Sequence, residues 1–139
     1  MILIDTNVVS ELMRPAPAPA VLEWFARQAA AQLFLSAVSE AELRAGAAYL
    51  PAGRRREGLT AAIDAMVTED FGGRILPFDS AAAKSYAVVA AVRRAAGQPI
   101  AEADCLIAAI ALAHGGAVAT RHVTDFLGCG VEVIDPWKS

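Results

Sequence analysis

Met1-Ile2-Leu3-Ile4-Asp5-Thr6-Asn7 opens the chain with a run of large apolar residues that stops at a carboxylate and passes into polar residues. Such a run, too short for a helix and apolar on every residue, reads as a strand buried on both faces. Asp5 therefore ends a strand, and Val8 to Met13 continues as a short helix. A strand without alternation belongs to a parallel sheet, because the crossover helices of such a sheet cover both of its faces.

Further strands are legible at Leu33-Phe34-Leu35, Ile75-Leu76, Ala117 to Thr120 and Val131 to Ile134. Between them lie helical patterns. Pro15 to Pro19 breaks the chain into a loop, and Val21, Leu22, Trp24, Phe25 and Ala29 then recur at helical spacing. A helix over about Val38 to Leu50 stops at Pro51 and Gly53, and another over Arg54 to Asp70 ends before Gly72-Gly73. Asp79 or Ser80 caps a helix reaching Ala96, and the apolar helix Ala103 to His114 stops at Gly115-Gly116. Alternating strands and helices predict a three-layer α/β/α sandwich on a five-stranded, mostly parallel sheet, with residues 1–139 as a single domain.

Composition narrows the classes. The chain is 56% hydrophobic and 19% charged, which excludes disorder and leaves apolar surface to spare for a homodimer. A formal charge of −3 argues against sequence-blind binding of nucleic acid through a broad basic face, so any nucleic-acid chemistry needs a local site. The first residues lack the basic n-region of a signal peptide, and the longest apolar run, Cys105 to Ala113, is far below the roughly 20 residues a bilayer demands. Cytoplasmic residence is the expectation. Cys105 and Cys129 cannot build a zinc site by themselves and read as buried, reduced thiols.

In open parallel sheets, ligands bind beyond the carboxyl ends of the strands. Asp5 sits at such an end, where it can cap the following helix or ligate a cation. Glu42, in Ser39-Glu40-Ala41-Glu42-Leu43-Arg44, lies in the first turns of the helix after strand two, where topology can bring it to the same sheet edge or leave it an exposed residue favoured by the helix dipole. Asp104 opens the most apolar helix, and Asp125 follows strand four, where it can equally cap a short turn beginning at Phe126. Two unit charges ~4 Å apart repel by about 4 kcal/mol at an effective dielectric of 20. If the four acids converge, a hard divalent cation relieves that repulsion. Mg²⁺ suits oxygen ligands and phosphate, Mn²⁺ would serve similarly, and no histidine-cysteine grouping favours zinc. His114, at the end of the apolar helix, suits the helix dipole rather than the site.

Together, Asp5-Thr6-Asn7, Ala41-Glu42-Leu43-Arg44-Ala45-Gly46, Ala103-Asp104-Cys105-Leu106-Ile107-Ala108-Ala109 and Ala119-Thr120-Arg121-His122 through Asp125-Phe126 resemble the PIN-domain family, most closely its VapC toxins of FitB type. The likeness extends to Pro77-Phe78-Asp79 and Ile134-Asp135-Pro136-Trp137. It implies metal ligation by Asp5, Glu42 and Asp104, completed by Asp125. It further implies RNA cleavage, homodimerisation, and inhibition by a cognate antitoxin encoded alongside. His122 departs from the pattern, standing where the family commonly has Asn in Thr-Arg-Asn.

The expected activity is that of a Mg²⁺-dependent endoribonuclease, the toxin of a type II toxin-antitoxin system, in which an activated water attacks an RNA phosphodiester in line. A second ion can join with substrate. Thr6, Asn7 and Thr120 would orient ligands or waters, and Arg14, Arg44 and Arg121 would meet substrate phosphates. Arg54-Arg55-Arg56 reads first as a solvated helix face and second as a phosphate contact. The competing readings are a catalytically silent protein-binding module and a structure-specific DNA nuclease.

Overall fold

A computed structural model describes residues 1–138. The chain runs β1 (Ile2–Ile4), α1 (Thr6–Leu12), α2 (Pro19–Arg27), β2 (Leu33–Ser36), α3 (Ala37–Ala48), α4 (Arg54–Ala65), β3 (Ile75–Leu76), α5 (Ser80–Ala95), α6 (Glu102–Ala113), β4 (Ala117–Ala119), α7 (Val123–Phe126) and β5 (Val133–Ile134). The strands form one five-stranded sheet in the order β3-β2-β1-β4-β5. Each of the four pairings is parallel, so "mostly parallel" understates the regularity.

β1 is the central strand, and its alternation divides the interior. Leu3 points into a core with Val89, Cys105, Ile107, Val118 and Phe126, under α5 and α6. Ile4 points the other way, among Val8, Val21, Trp24, Leu35, Leu43 and Ile63, under α1 to α4. Two cores, one on each face of the sheet, are the physical content of the three-layer sandwich.

Several boundaries move from the sequence expectation for identifiable reasons. α1 begins at Thr6, because Asp5 serves as its N-cap and its side chain accepts from the Thr6 N–H. α2 begins on Pro19, since proline at the first helical position forfeits only a donor that is orphaned anyway. The helix expected over Arg54 to Asp70 is α-helical only to Ala65 and finishes as a π-helical turn, Met66–Asp70. α6 ends where Gly115 takes φ of 64° and the Gly116 N–H donates to the Ala111 carbonyl at 2.9 Å. No helix among the described residues is long and apolar enough to cross a membrane.

Two buried charged groups escaped the sequence reading. Glu11 accepts from the Ala18 N–H at 2.9 Å and from Arg14, tying the proline-rich loop to α1. These bonds, the backbone one foremost, hold its carboxyl below the usual range. Arg93 donates from Nε to the Gln98 carbonyl at 2.7 Å and from its guanidinium to the Leu127 carbonyl at 2.5 Å. Nothing in a helical stripe marks an arginine that serves two loop carbonyls. Cys105 and Cys129 are both free and buried, and burial pushes both thiols up.

Candidate metal centre

Asp5 is 4% exposed at the carboxyl end of β1. Its Oδ1 accepts from the Thr6 N–H at 2.8 Å, and its Oδ2 accepts from Asn7 Nδ2 at 2.9 Å and from Thr120 Oγ1 at 2.8 Å. A carboxylate has about four acceptor positions, so these three donors leave one free. Asp5 is thus the helix cap that its sequence position suggested, with one lone pair to spare for a cation.

Thr120 is fully buried directly after β4. Besides donating to Asp5, its hydroxyl accepts from Asn7 Nδ2 at 3.2 Å and from the His122 N–H at 3.0 Å. Asn7 Oδ1 in turn accepts from the Arg121 N–H at 3.0 Å. The Asp5 N–H donates to the Ala119 carbonyl at 2.9 Å, which sets β1 and β4 in the register this network requires.

Glu42 is reached through α3. Ser36, fully buried, caps that helix by accepting from the Ser39 N–H at 2.9 Å. The second turn then brings Glu42 Oε1 within 2.7 Å of Thr6 Oγ1, which donates to it. Thr6 therefore touches two of the four acids, its N–H on Asp5 and its hydroxyl on Glu42. Ser36 is the positioning residue the sequence reading missed; a serine between an apolar strand and Glu40-Ala41-Glu42 was its available signal. Ser39 Oγ, one turn ahead of Glu42, is a buried polar atom with no hydrogen-bond partner among the described residues.

Asp104 is the third residue of α6, after an Ala101 cap that offers no side-chain bond. Its carboxyl is pushed up to about 6. Burial is the largest cause, followed by the negative charges of Asp5, Asp125 and Glu42, with His122 opposing. All three of the other expected acids therefore act on this one carboxyl.

Of the two readings open for Asp125, the cap is not the one seen: it lies inside α7 (Val123–Phe126), whose N-cap position is His122, and it makes no cap bond, while Phe126 is wholly buried. The Asp125 carboxylate lies 3.9 Å from His122 Nδ1, too far for a hydrogen bond.

Among the described residues, no three histidine, cysteine or acidic side chains stand close enough to hold a metal ion as a closed group. The four acids share an electrostatic field without forming a cage. Carboxylates of this kind suit a hard divalent cation that keeps part of its water shell. The donor set here is oxygen throughout.

The arginines divide. Arg44 donates to Glu40 at 2.8 Å and to Asp64 at 2.7 Å, so its guanidinium braces α3 against α4. Those two carboxylates raise its affinity for its proton further. Arg121 is exposed, stacked 4.9 Å over the Trp137 ring. His114 follows α6 at its C-terminal cap, away from the acids.

Comparison with known proteins agrees with this geometry. The PIN domain family model matches residues 2–122. The chain belongs to the PIN-domain family. This PIN domain is 45% identical to the VapC ribonuclease Y4jK of Sinorhizobium fredii over 138 residues, 99% of each chain. It is 41% identical to Toxin FitB of Neisseria gonorrhoeae over 137 residues, again 99% of each. The crystal structure of FitAcB from Neisseria gonorrhoeae contains a chain that superposes with a TM-score of 0.93 at 40% identity, covering 100% of both.

Proposed function

We propose that this PIN domain is a Mg²⁺-dependent endoribonuclease acting as the toxin of a type II toxin-antitoxin pair, with residues 1–139 as one catalytic unit in the cytoplasm. The observation that carries the reading is Asp104, whose carboxyl feels the charges of Asp5, Glu42 and Asp125 together. Relatives bearing the names VapC ribonuclease and Toxin FitB support the substrate class and the toxin role. A neighbour described as FitAB bound to a DNA fragment supports an antitoxin partner. Homodimerisation belongs to the same proposal.

Asp5 and Asp104 would hold the ion, with Glu42 and Asp125 contributing charge or water-mediated contacts, and Mn²⁺ could replace Mg²⁺. When bound, the ion neutralises phosphate charge and acidifies a water. The chain's own groups do the positioning. Asp5 cannot rotate, because Thr6, Asn7 and Thr120 fix both its oxygens. Thr6 couples Glu42 to that frame, and Arg121, whose backbone N–H is held by Asn7, would meet a phosphate oxygen with its exposed side chain.

Incubating purified protein with RNA and DNA substrates in Mg²⁺, Mn²⁺ and EDTA tests the reading. RNA cleavage with either ion, absent in EDTA and in Asp104→Ala, is expected. Full RNA cleavage by a folded Asp104→Ala variant would refute the site.

A further inference from the structure

A groove of about 760 Å³ runs between α1, α3 and α4. Thr6 and Glu42 line it from α1 and α3, Arg54 and Arg55 from the start of α4, and apolar side chains such as Leu43, Leu59 and Ile63 make much of the wall. The arginine triplet is split by its helix, for Arg56 turns away to a separate hollow beside Arg44. Arg54 and Arg55 are exposed, and neither takes part in an ion pair among the described residues, whereas Arg14 and Arg44 are engaged with Glu11, Glu40 and Asp64.

The groove walls carry a second signal. Gly46 lies within α3 and Gly58 within α4, and both line this groove. Glycine inside a helix is disfavoured relative to alanine, so it needs a reason. Nothing in this chain supplies one: a Cβ added at either position would meet no atom within 4 Å. The bare backbone at both positions is therefore open to the groove.

We infer that the groove receives the RNA strand adjoining the cleaved phosphodiester, with Arg54 and Arg55 on its phosphates and the Gly46 and Gly58 backbone admitting it closely. The inference rests on the ribonuclease reading and extends it from the reacting phosphate to its neighbours. A strand held at Glu42 must leave the acids along some path. This groove is lined by Glu42 and by two unpaired cations, in a chain whose net charge of −3 otherwise repels RNA.

The test measures binding of a fluorescent mixed-sequence single-stranded RNA, about a dozen nucleotides long, to an Asp104→Asn protein between 50 and 200 mM salt. Each phosphate contact to a single strand contributes about 0.7 to the slope of log affinity against log salt. Adding Arg54→Gln and Arg55→Gln should lower that slope by about 1.4. Over this fourfold range of salt, the parent should then weaken about 7-fold more than the variant. Gly58→Leu should weaken RNA binding while leaving the melting temperature unchanged or higher, which excludes unfolding as the cause.

With Asp104 restored, the paired arginine variant should raise KM for RNA and leave kcat in place. Equal salt slopes in parent and variant would overturn the inference, as would unaltered binding by Gly58→Leu. Equal slopes in a protein that still cleaves RNA leave the ribonuclease reading standing alone. A reduced slope in a protein that never cleaves RNA removes the nuclease and keeps the groove. Loss of the co-expressed antitoxin from the arginine variant, with RNA binding unchanged, would assign the groove to the protein partner and overturn the inference.

Discussion

Asp104→Asn removes one negative charge from the crowded end of the sheet while preserving shape, and it should stabilise the metal-free fold in a pH-dependent way. The rise of the Asp104 carboxyl from 3.8 to about 6 corresponds to roughly 3 kcal/mol, at about 1.4 kcal/mol per pH unit. Asp104 is only partly buried, so solvent screening reduces this to about 1 to 2 kcal/mol. The sign follows from the direction. The folded state binds this proton more tightly than the unfolded state, so the associated stability is complete below about pH 4. It is lost as pH rises through about 6.

In EDTA, the melting temperature of Asp104→Asn minus that of the wild type should therefore grow between pH 4 and pH 7. The gain should be about 3 to 8 °C for a domain of this size. Saturating Mg²⁺ should close the gap, because the ion binds the native wild type and not the variant. Thermal melts across pH with and without metal measure both effects. A difference that stays constant from pH 4 to pH 7 in EDTA would refute the reasoning, since the gathered acids would then impose no cost on Asp104.

Because binding needs Asp104 ionised, Mg²⁺ affinity measured by calorimetry should fall about tenfold for each pH unit below 6; a flat profile from pH 5 to 7 would count against Asp104 as a ligand. Thr120→Val strips the hydroxyl that serves Asp5, Asn7 and His122, and should cost about 1 to 3 kcal/mol in denaturant titrations together with most activity. Thr120→Ser should restore both, and a stable, active Thr120→Val protein would show the network to be dispensable. Ser39→Ala removes an unpartnered buried hydroxyl and should be neutral or stabilising by up to about 1 kcal/mol; clear destabilisation would reveal a partner for that hydroxyl.

Much of this molecule is legible in its sequence, and the legible parts share a cause. Strands buried on both faces cannot alternate, so Ile2-Leu3-Ile4 and Leu33-Phe34-Leu35 announce a parallel sheet, and parallel strands impose crossover helices. The carboxyl-edge rule then places Asp5 before any coordinates are known. What stayed hidden depends on contacts between distant segments. Arg93 looks like one more charge on a helix, yet Gln98 and Leu127 draw it inside. Nor does anything near Arg44 in sequence announce that Asp64, twenty residues later, comes to meet it.

Glu42 could be brought to the correct sheet edge by topology, but its bond to Thr6 spans 36 residues and has no local signature. The helix that carries Asp125 went unread, since four residues leave too little periodicity to register. The open arrangement of the acids was likewise invisible: residue type reveals which groups carry charge, not how far apart a fold will keep them.

The strand order β3-β2-β1-β4-β5 also sets a schedule. β1 can find β2 once 36 residues exist, but its other neighbour begins at residue 117, and Thr120 follows still later. Domains assemble during synthesis from the amino end, and pairings between distant segments wait for the later one to emerge. Asp5 is thus made more than a hundred residues before Thr120, the partner that completes its setting. A product truncated before β4 would carry Asp5 without Thr120, and so without the hydroxyl that fixes one of its oxygens.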